Sequence, residues 1–156
     1  MTVTVNEVHP ESLAKICGGV RLEGKWHEGI EGAKLLIARQ EEGIRLASRL
    51  GAQIKINTVV VPGVNDTHIE EIARRVATWG ATRMNLIPLI PQCSLSHIPK
   101  PECAVMDYAR AEAGLHIEVV KRCARCRADA CGVPNVSDFS GWLYGDMASG
   151  VGFSHG

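Results

Sequence analysis

The stretch "AQIKINTVVVP", residues 52–62, constrains the fold more than any other part of this chain. Ile54, Ile56, Val59, Val60 and Val61 make it almost continuously apolar, and their branched side chains suit an extended backbone. A strand of this kind is expected to be buried on both faces, as in a parallel sheet covered by helices. Parallel neighbours cannot be joined by a tight turn, so helical crossovers must flank it.

The neighbouring sequence supplies them. "TVTVNEV", residues 2–8, alternates: Val3 and Val5 point one way, Thr2, Thr4 and Asn6 the other, which predicts a first strand with one apolar and one polar face. "HPESLAKICGGVRLEGKWHEG" then reads as irregular and glycine-rich. A helix is expected from Ile30 to Leu50, with Ala33, Leu36, Ile37, Ile44, Ala47 and Leu50 on one face and Gly51 ending it. After the apolar strand, "PGVND" predicts a turn in which Asn65 or Asp66 caps the next helix. That helix shows Ile69, Ile72, Ala73 and Val76 and closes at Gly80. "TRMNLIPLI" predicts a third strand ending in Pro88, a weaker helix spans Pro101 to Gly114, and "LHIEVV" predicts a fourth strand.

The order β-α-β-α-β-α-β implies an α/β fold with a parallel sheet and outer helices, either half of an eight-stranded barrel or a small open sheet. Met1 falls directly at a strand, and the chain is expected to be the C-terminal part of something longer. In parallel sheets ligands sit at the carboxyl ends of the strands. There the sequence places Asn6, "NTVVVPGVND", "NLIPLIP" and the segment "VKRCARCRADACG" at residues 120–132, so polar residues and thiols are expected on one rim.

Charge narrows the function classes. Seventeen basic and seventeen acidic side chains cancel, which leaves no electrostatic footprint for nucleic acid or an anionic membrane. No apolar run approaches the ~20 residues of a membrane helix, and the N-terminus has no signal-peptide pattern. The chain is therefore expected in the cytoplasm, where six cysteines read as metal ligands or reactive thiols rather than as disulfides. Cys123 and Cys126 form a CxxC among Arg122, Arg125 and Arg127, which favour thiolates and offset the charge of an anionic cluster. A structural zinc half-site is the plainer alternative, with Cys131 or His116 the nearest further ligands. Cys17, Cys93 and Cys103 read as ordinary thiols, and His9, His27, His68, His97 and His155 as scattered structural or solvated side chains.

Five motifs in this order, "TVTVN", "GIEGAKLLIARQEEGI", "KINTVVVPGVND", "MNLIPLIP" and "CARCRADA", resemble the NifB-type radical S-adenosylmethionine family over roughly Thr2 to Ala130. The resemblance implies a half-barrel of the TIM type over residues 1–132; the tail, 133–156, departs from the family and by its Gly/Ser-rich composition is expected to be disordered. It implies [4Fe–4S] clusters and S-adenosylmethionine as cofactors, and the fusion of two clusters with carbide insertion into an eight-iron precursor of the nitrogenase iron–molybdenum cofactor. The expected partners are iron–sulfur cluster donors and downstream cofactor-assembly proteins. Cys123 and Cys126 become ligands of an accessory cluster. Thr4, Asn6, Ile56 and Asn57 become contacts to S-adenosylmethionine, Ile56 through its flank against adenine and its backbone groups. Asn85 shares the ambiguity of the other strand asparagines, between a turn and a ligand. One departure bears on activity: the cysteines at 17, 93, 103, 123, 126 and 131 contain no CxxxCxxC, the motif that holds the family's catalytic cluster. No catalytic residue is therefore assigned. A non-catalytic iron–sulfur or zinc-binding module is the alternative reading.

Overall fold

Alternation at the start of the chain produces β1, Thr2–Thr4, and the long apolar stretch produces β4, Lys55–Val60. The computed structural model describes residues 1–120. Between these strands lie α1, Pro10–Ile16, the short strands β2, Gly19–Leu22, and β3, Lys25–Glu28, and α2, Gly29–Arg49. After β4 come α3, Ile69–Trp79, β5, Arg83–Pro88, a single 3-10 turn at Cys93–Leu95, α4, Cys103–Gly114, and β6, Glu118–Val119.

The four strands β1, β4, β5 and β6 pair in that order, every pair parallel. Each strand therefore lies beside the next parallel strand in the chain. With right-handed crossovers, an order that never reverses carries all the connecting helices to the same face. The core agrees: Val5, Ile54, Ile56, Val60, Met84 and Leu86 of the sheet form a single cluster with Ile37, Ile44, Ile72, Val76, Met106 and Ala109 of the helices. The opposite face carries Thr4, Lys55, Asn57, Val59, Asn85 and Ile87, and of these only Asn85 is fully buried.

β4 thus differs from the expectation of two equally buried faces. Ile54, Ile56, Thr58 and Val60 are inaccessible, whereas Lys55, Asn57 and Val59 are half-buried. Thr58 is tolerated on the apolar side because its hydroxyl donates to the Val5 carbonyl at 2.6 Å.

Two further expectations are corrected. The region before α2 is not irregular: Pro10 sits at the first turn of α1, where its missing N–H is free of cost, and Leu13 anchors that helix in the core. β2 and β3 form an antiparallel hairpin that turns through Glu23 and Gly24, both at positive φ, the geometry whose twist matches paired strands. On α2, Ala33, Ile37 and Ile44 are buried as expected, but Leu50 lies at the C-cap and is exposed. Gly80 ends α3 at φ +106, and a side chain there would run into Ser48, so both conformation and close approach require glycine. Among the described residues no helix is long and apolar enough to cross a membrane.

Candidate functional site

Parallel register turns three separate sequence motifs into one row. Thr4 of β1 is level with Asn57 of β4, and Asn57 is level with Asn85 of β5. Residues at matched positions of neighbouring strands project from the same face. That face is the one opposite Val3, Ile56 and Met84, which are likewise in register. Asn85 is 1% exposed, its Nδ2 donates to Asn57 Oδ1 at a long 3.5 Å, and its Oδ1 has no partner among the described residues. A buried amide oxygen without a donor costs about 1–3 kcal/mol, and such a group in a native structure calls for an explanation. A polar ligand bonded to it would supply one. The row offers a hydroxyl and two amides, hence both donors and acceptors and no net charge. Below it, toward the amino ends, Thr2, Lys55 and Arg83 form a second polar row, with Arg83 Nε donating to Glu118 Oε2 at 3.1 Å.

Asn6 and Asn57 therefore have different surroundings. Asn6 Oδ1 accepts the Val59 N–H at 3.0 Å and so prolongs the β1–β4 ladder beyond Thr4. Asn65, fully buried, holds that junction: its Oδ1 accepts the Val61 N–H at 2.7 Å, and its Nδ2 donates to the carbonyls of Asn6 at 2.6 Å and Val59 at 2.8 Å. Asn65 is thus a bracket between strand ends rather than a helix cap, and Asp66 accepts the Gly63 N–H; the residue that caps α3 is His68. Ile56 turns its side chain into the core, so what it presents to the polar face is backbone alone. Gln40 donates to the outward Thr4 carbonyl at 2.7 Å and covers part of the free edge of β1.

The three described thiols are free. Cys17 is half-buried, with its Sγ 3.5 Å from the Gly19 carbonyl, and Cys93 and Cys103 are exposed. Cys123, Cys126 and Cys131, and the tail 133–156, lie outside the described residues.

A second cluster was not anticipated. Glu7, fully buried, accepts the N–H groups of Val8 at 2.7 Å and His9 at 3.1 Å on Oε1, and meets His68 Nδ1 at 2.7 Å on Oε2. His9 Nε2 meets Glu71 Oε2 at 2.8 Å, and the two imidazoles pack edge to face with centroids 5.0 Å apart. The hydrogen bond from His9 holds the Glu71 carboxyl below its ordinary value, against a smaller opposing effect of desolvation. On α3 the neighbouring Glu70 is lowered in the same way by His116. The signal for Glu7 was in the sequence: it continues the parity of Val3 and Val5, so alternation puts a carboxylate on the core side.

No protein-family model matches this sequence. Among curated proteins, the FeMo cofactor biosynthesis protein NifB of Methanocaldococcus infernus is 43% identical over 133 residues, which is 85% of this chain and 44% of that protein. The proteins of the same name from Azotobacter vinelandii, 36% identical over 141 residues, and Klebsiella pneumoniae, 34% over 139, match 85% of this chain and 28% and 30% of their own lengths. The chain thus spans less than half the length of the curated relatives it matches. A continuous match of 133 residues within 156 must include residues 24–133, so Asn57, Asn85, Cys123 and Cys126 fall inside it. With relatives of one name matching at this level over most of its length, the chain belongs to the family of the FeMo cofactor biosynthesis protein NifB.

Proposed function

We propose that this chain is the C-terminal half of a radical S-adenosylmethionine barrel that assembles the eight-iron precursor of the iron–molybdenum cofactor. The face of the sheet opposite the described helices is then the barrel interior. The reading rests on one observation above all: the register row Thr4–Asn57–Asn85, with a buried amide oxygen that has no donor among the described residues. The row runs from exposed Thr4 through half-buried Asn57 to buried Asn85, and a zwitterionic ligand bearing a ribose would satisfy the buried amide at its inner end. S-adenosylmethionine, when bound, supplies the reactive alkyl group and the methyl carbon for the carbide. The chain's own part is positional. Asn85 Oδ1 accepts from an amino or hydroxyl group of the ligand, Asn57 and Thr4 extend the contact across the sheet, and Asn6 fixes the strand end that shapes the pocket. The dry side of the sheet keeps these groups rigid.

Cys123 and Cys126 are assigned to an accessory [4Fe–4S] cluster, with Arg122, Arg125 and Arg127 offsetting its charge. The clusters that are fused are substrates, delivered by iron–sulfur donors and passed on, as product, to later assembly proteins. The chain's own cysteines contain no CxxxCxxC, so the cluster that cleaves S-adenosylmethionine must be held by residues outside this sequence.

The test is anaerobic reconstitution of the chain with iron and sulfide, beside a Cys123→Ala/Cys126→Ala variant. The expected result is loss of the variant's bound iron and of its sulfur-to-iron charge-transfer absorbance. Equal iron and equal absorbance in both proteins contradict the assignment. Retention of zinc in place of iron by the unaltered chain favours a zinc-binding module instead.

A further inference from the structure

We propose that Glu7, His9 and His68 form a binding site for a divalent transition-metal ion of the zinc type, separate from the polar row. One donor atom from each of the three lies within 4.8 Å of the others. They come from three places in the fold: the residues following β1, the cap of α1 and the cap of α3. Two imidazoles and one carboxylate, with a fourth position open to water, is a donor set that zinc takes up.

Geometry and charge support it. Glu7 is anchored by two backbone N–H groups on Oε1, which fixes Oε2 as the ligating atom. Oε2 and His68 Nδ1 stand 2.7 Å apart, joined by a proton, since a carboxylate only accepts. Zinc bonds of about 2.0 Å at tetrahedral angles separate neighbouring donors by roughly 3.3 Å, so replacing that proton by a metal asks for a small opening. His9 meets Glu71 through Nε2, the kind of carboxylate contact that orients metal-ligating imidazoles, and Nδ1 is the nitrogen left to ligate. The side chains of His9 and His68 are 38% and 32% exposed, so an ion can enter from solvent while Glu7 stays dry. Two carboxylates face two rings that are neutral when ligating, which leaves negative charge for a divalent ion to offset. Of the nearby guanidinium groups, Arg74 lies 3.8 Å from Glu71 and offsets part of that carboxylate's charge, while Arg75 donates to the Val8 carbonyl at 3.2 Å; Glu7 has neither as an ion-pair partner among the described residues.

The site stands apart from the proposed S-adenosylmethionine pocket. Glu7 shares the helix-side parity of Val5, whereas Thr4, Asn57 and Asn85 project from the other face. Failure of one assignment therefore leaves the other in place.

The test uses the whole chain with all six cysteines changed to serine, so that thiolates do not compete. Zinc chloride is titrated calorimetrically into this protein and into the same protein carrying His9→Asn and His68→Asn. Both positions are helix caps, where asparagine is a favoured residue, so the fold is expected to survive, as circular dichroism verifies. The expected result is one zinc per chain and at least a ~10-fold loss of affinity in the double variant. No zinc binding by the parent, or equal affinity in both, overturns the proposal. Cobalt(II) added to the parent asks the same question without any histidine change. Intense visible bands of a four- or five-coordinate site support it, and the faint spectrum of the hydrated ion overturns it.

Discussion

Asn65→Ala lowers the unfolding free energy by about 2–4 kcal/mol. The side chain is fully buried and makes three hydrogen bonds, to the Val61 N–H and to the carbonyls of Asn6 and Val59. Alanine removes them all and leaves buried backbone groups without partners, each of which carries its own desolvation cost. The loss is not confined to one loop, because Asn65 ties the end of the segment following β1 to the end of β4. Asn65→Asp separates the parts of the effect: it keeps an acceptor for Val61 but sets an anion against two carbonyl oxygens. It should therefore be no better than alanine. Urea unfolding reads the change as a lower midpoint at unchanged slope. A shift of less than about 0.5 kcal/mol, the size of an ordinary surface substitution, would mean that the bracket is not what joins the two strand ends.

Asn85→Leu has the opposite sign. Leucine is close to asparagine in shape and suits a site that is 1% exposed. The substitution gives up one long hydrogen bond to Asn57 and removes a buried oxygen that lacks a donor among the described residues. Stability should rise by about 1–2 kcal/mol, an increase of several degrees in melting temperature for a domain of this size. An amide that the isolated chain would be more stable without is what a residue held for ligand binding looks like. A fall in melting temperature would show instead that Asn85 is a packed structural amide.

Much of this architecture could be read from local sequence. The apolar β4 stretch and the faces of α2 and α3 carry their periods openly, and Gly51 and Gly80 mark the helix ends, both at positive φ. Thr4 is placed on a polar position by alternation alone, whereas Asn57 sits in a stretch that reads as apolar on both faces and is singled out only by the family resemblance. What escaped depends on partners distant in sequence or on very short elements. α1 has seven residues and one buried leucine, too few for a period to emerge, and the β2–β3 hairpin turns at Glu23–Gly24, a weaker signal than Asn-Gly. The register that levels Thr4 with Asn57 and Asn85 arises only when the strands pair. His9 and His68 read as scattered because 58 residues lie between them in the chain and the carboxylate that meets His68 belongs to the segment after β1.

The central claim is that the face of this sheet opposite the described helices holds S-adenosylmethionine. The most direct measurement joins the chain behind the N-terminal part of the Methanocaldococcus infernus relative, the region expected to carry the CxxxCxxC motif, and titrates S-adenosylmethionine into the reconstituted protein. The account predicts saturable binding that weakens by a factor of a few to about tenfold in Thr4→Val, the worth of one hydrogen bond. It predicts a larger loss in Asn85→Leu, where an apolar group faces a polar ligand. Affinity unchanged by both substitutions, in proteins that fold and carry their iron, would contradict it.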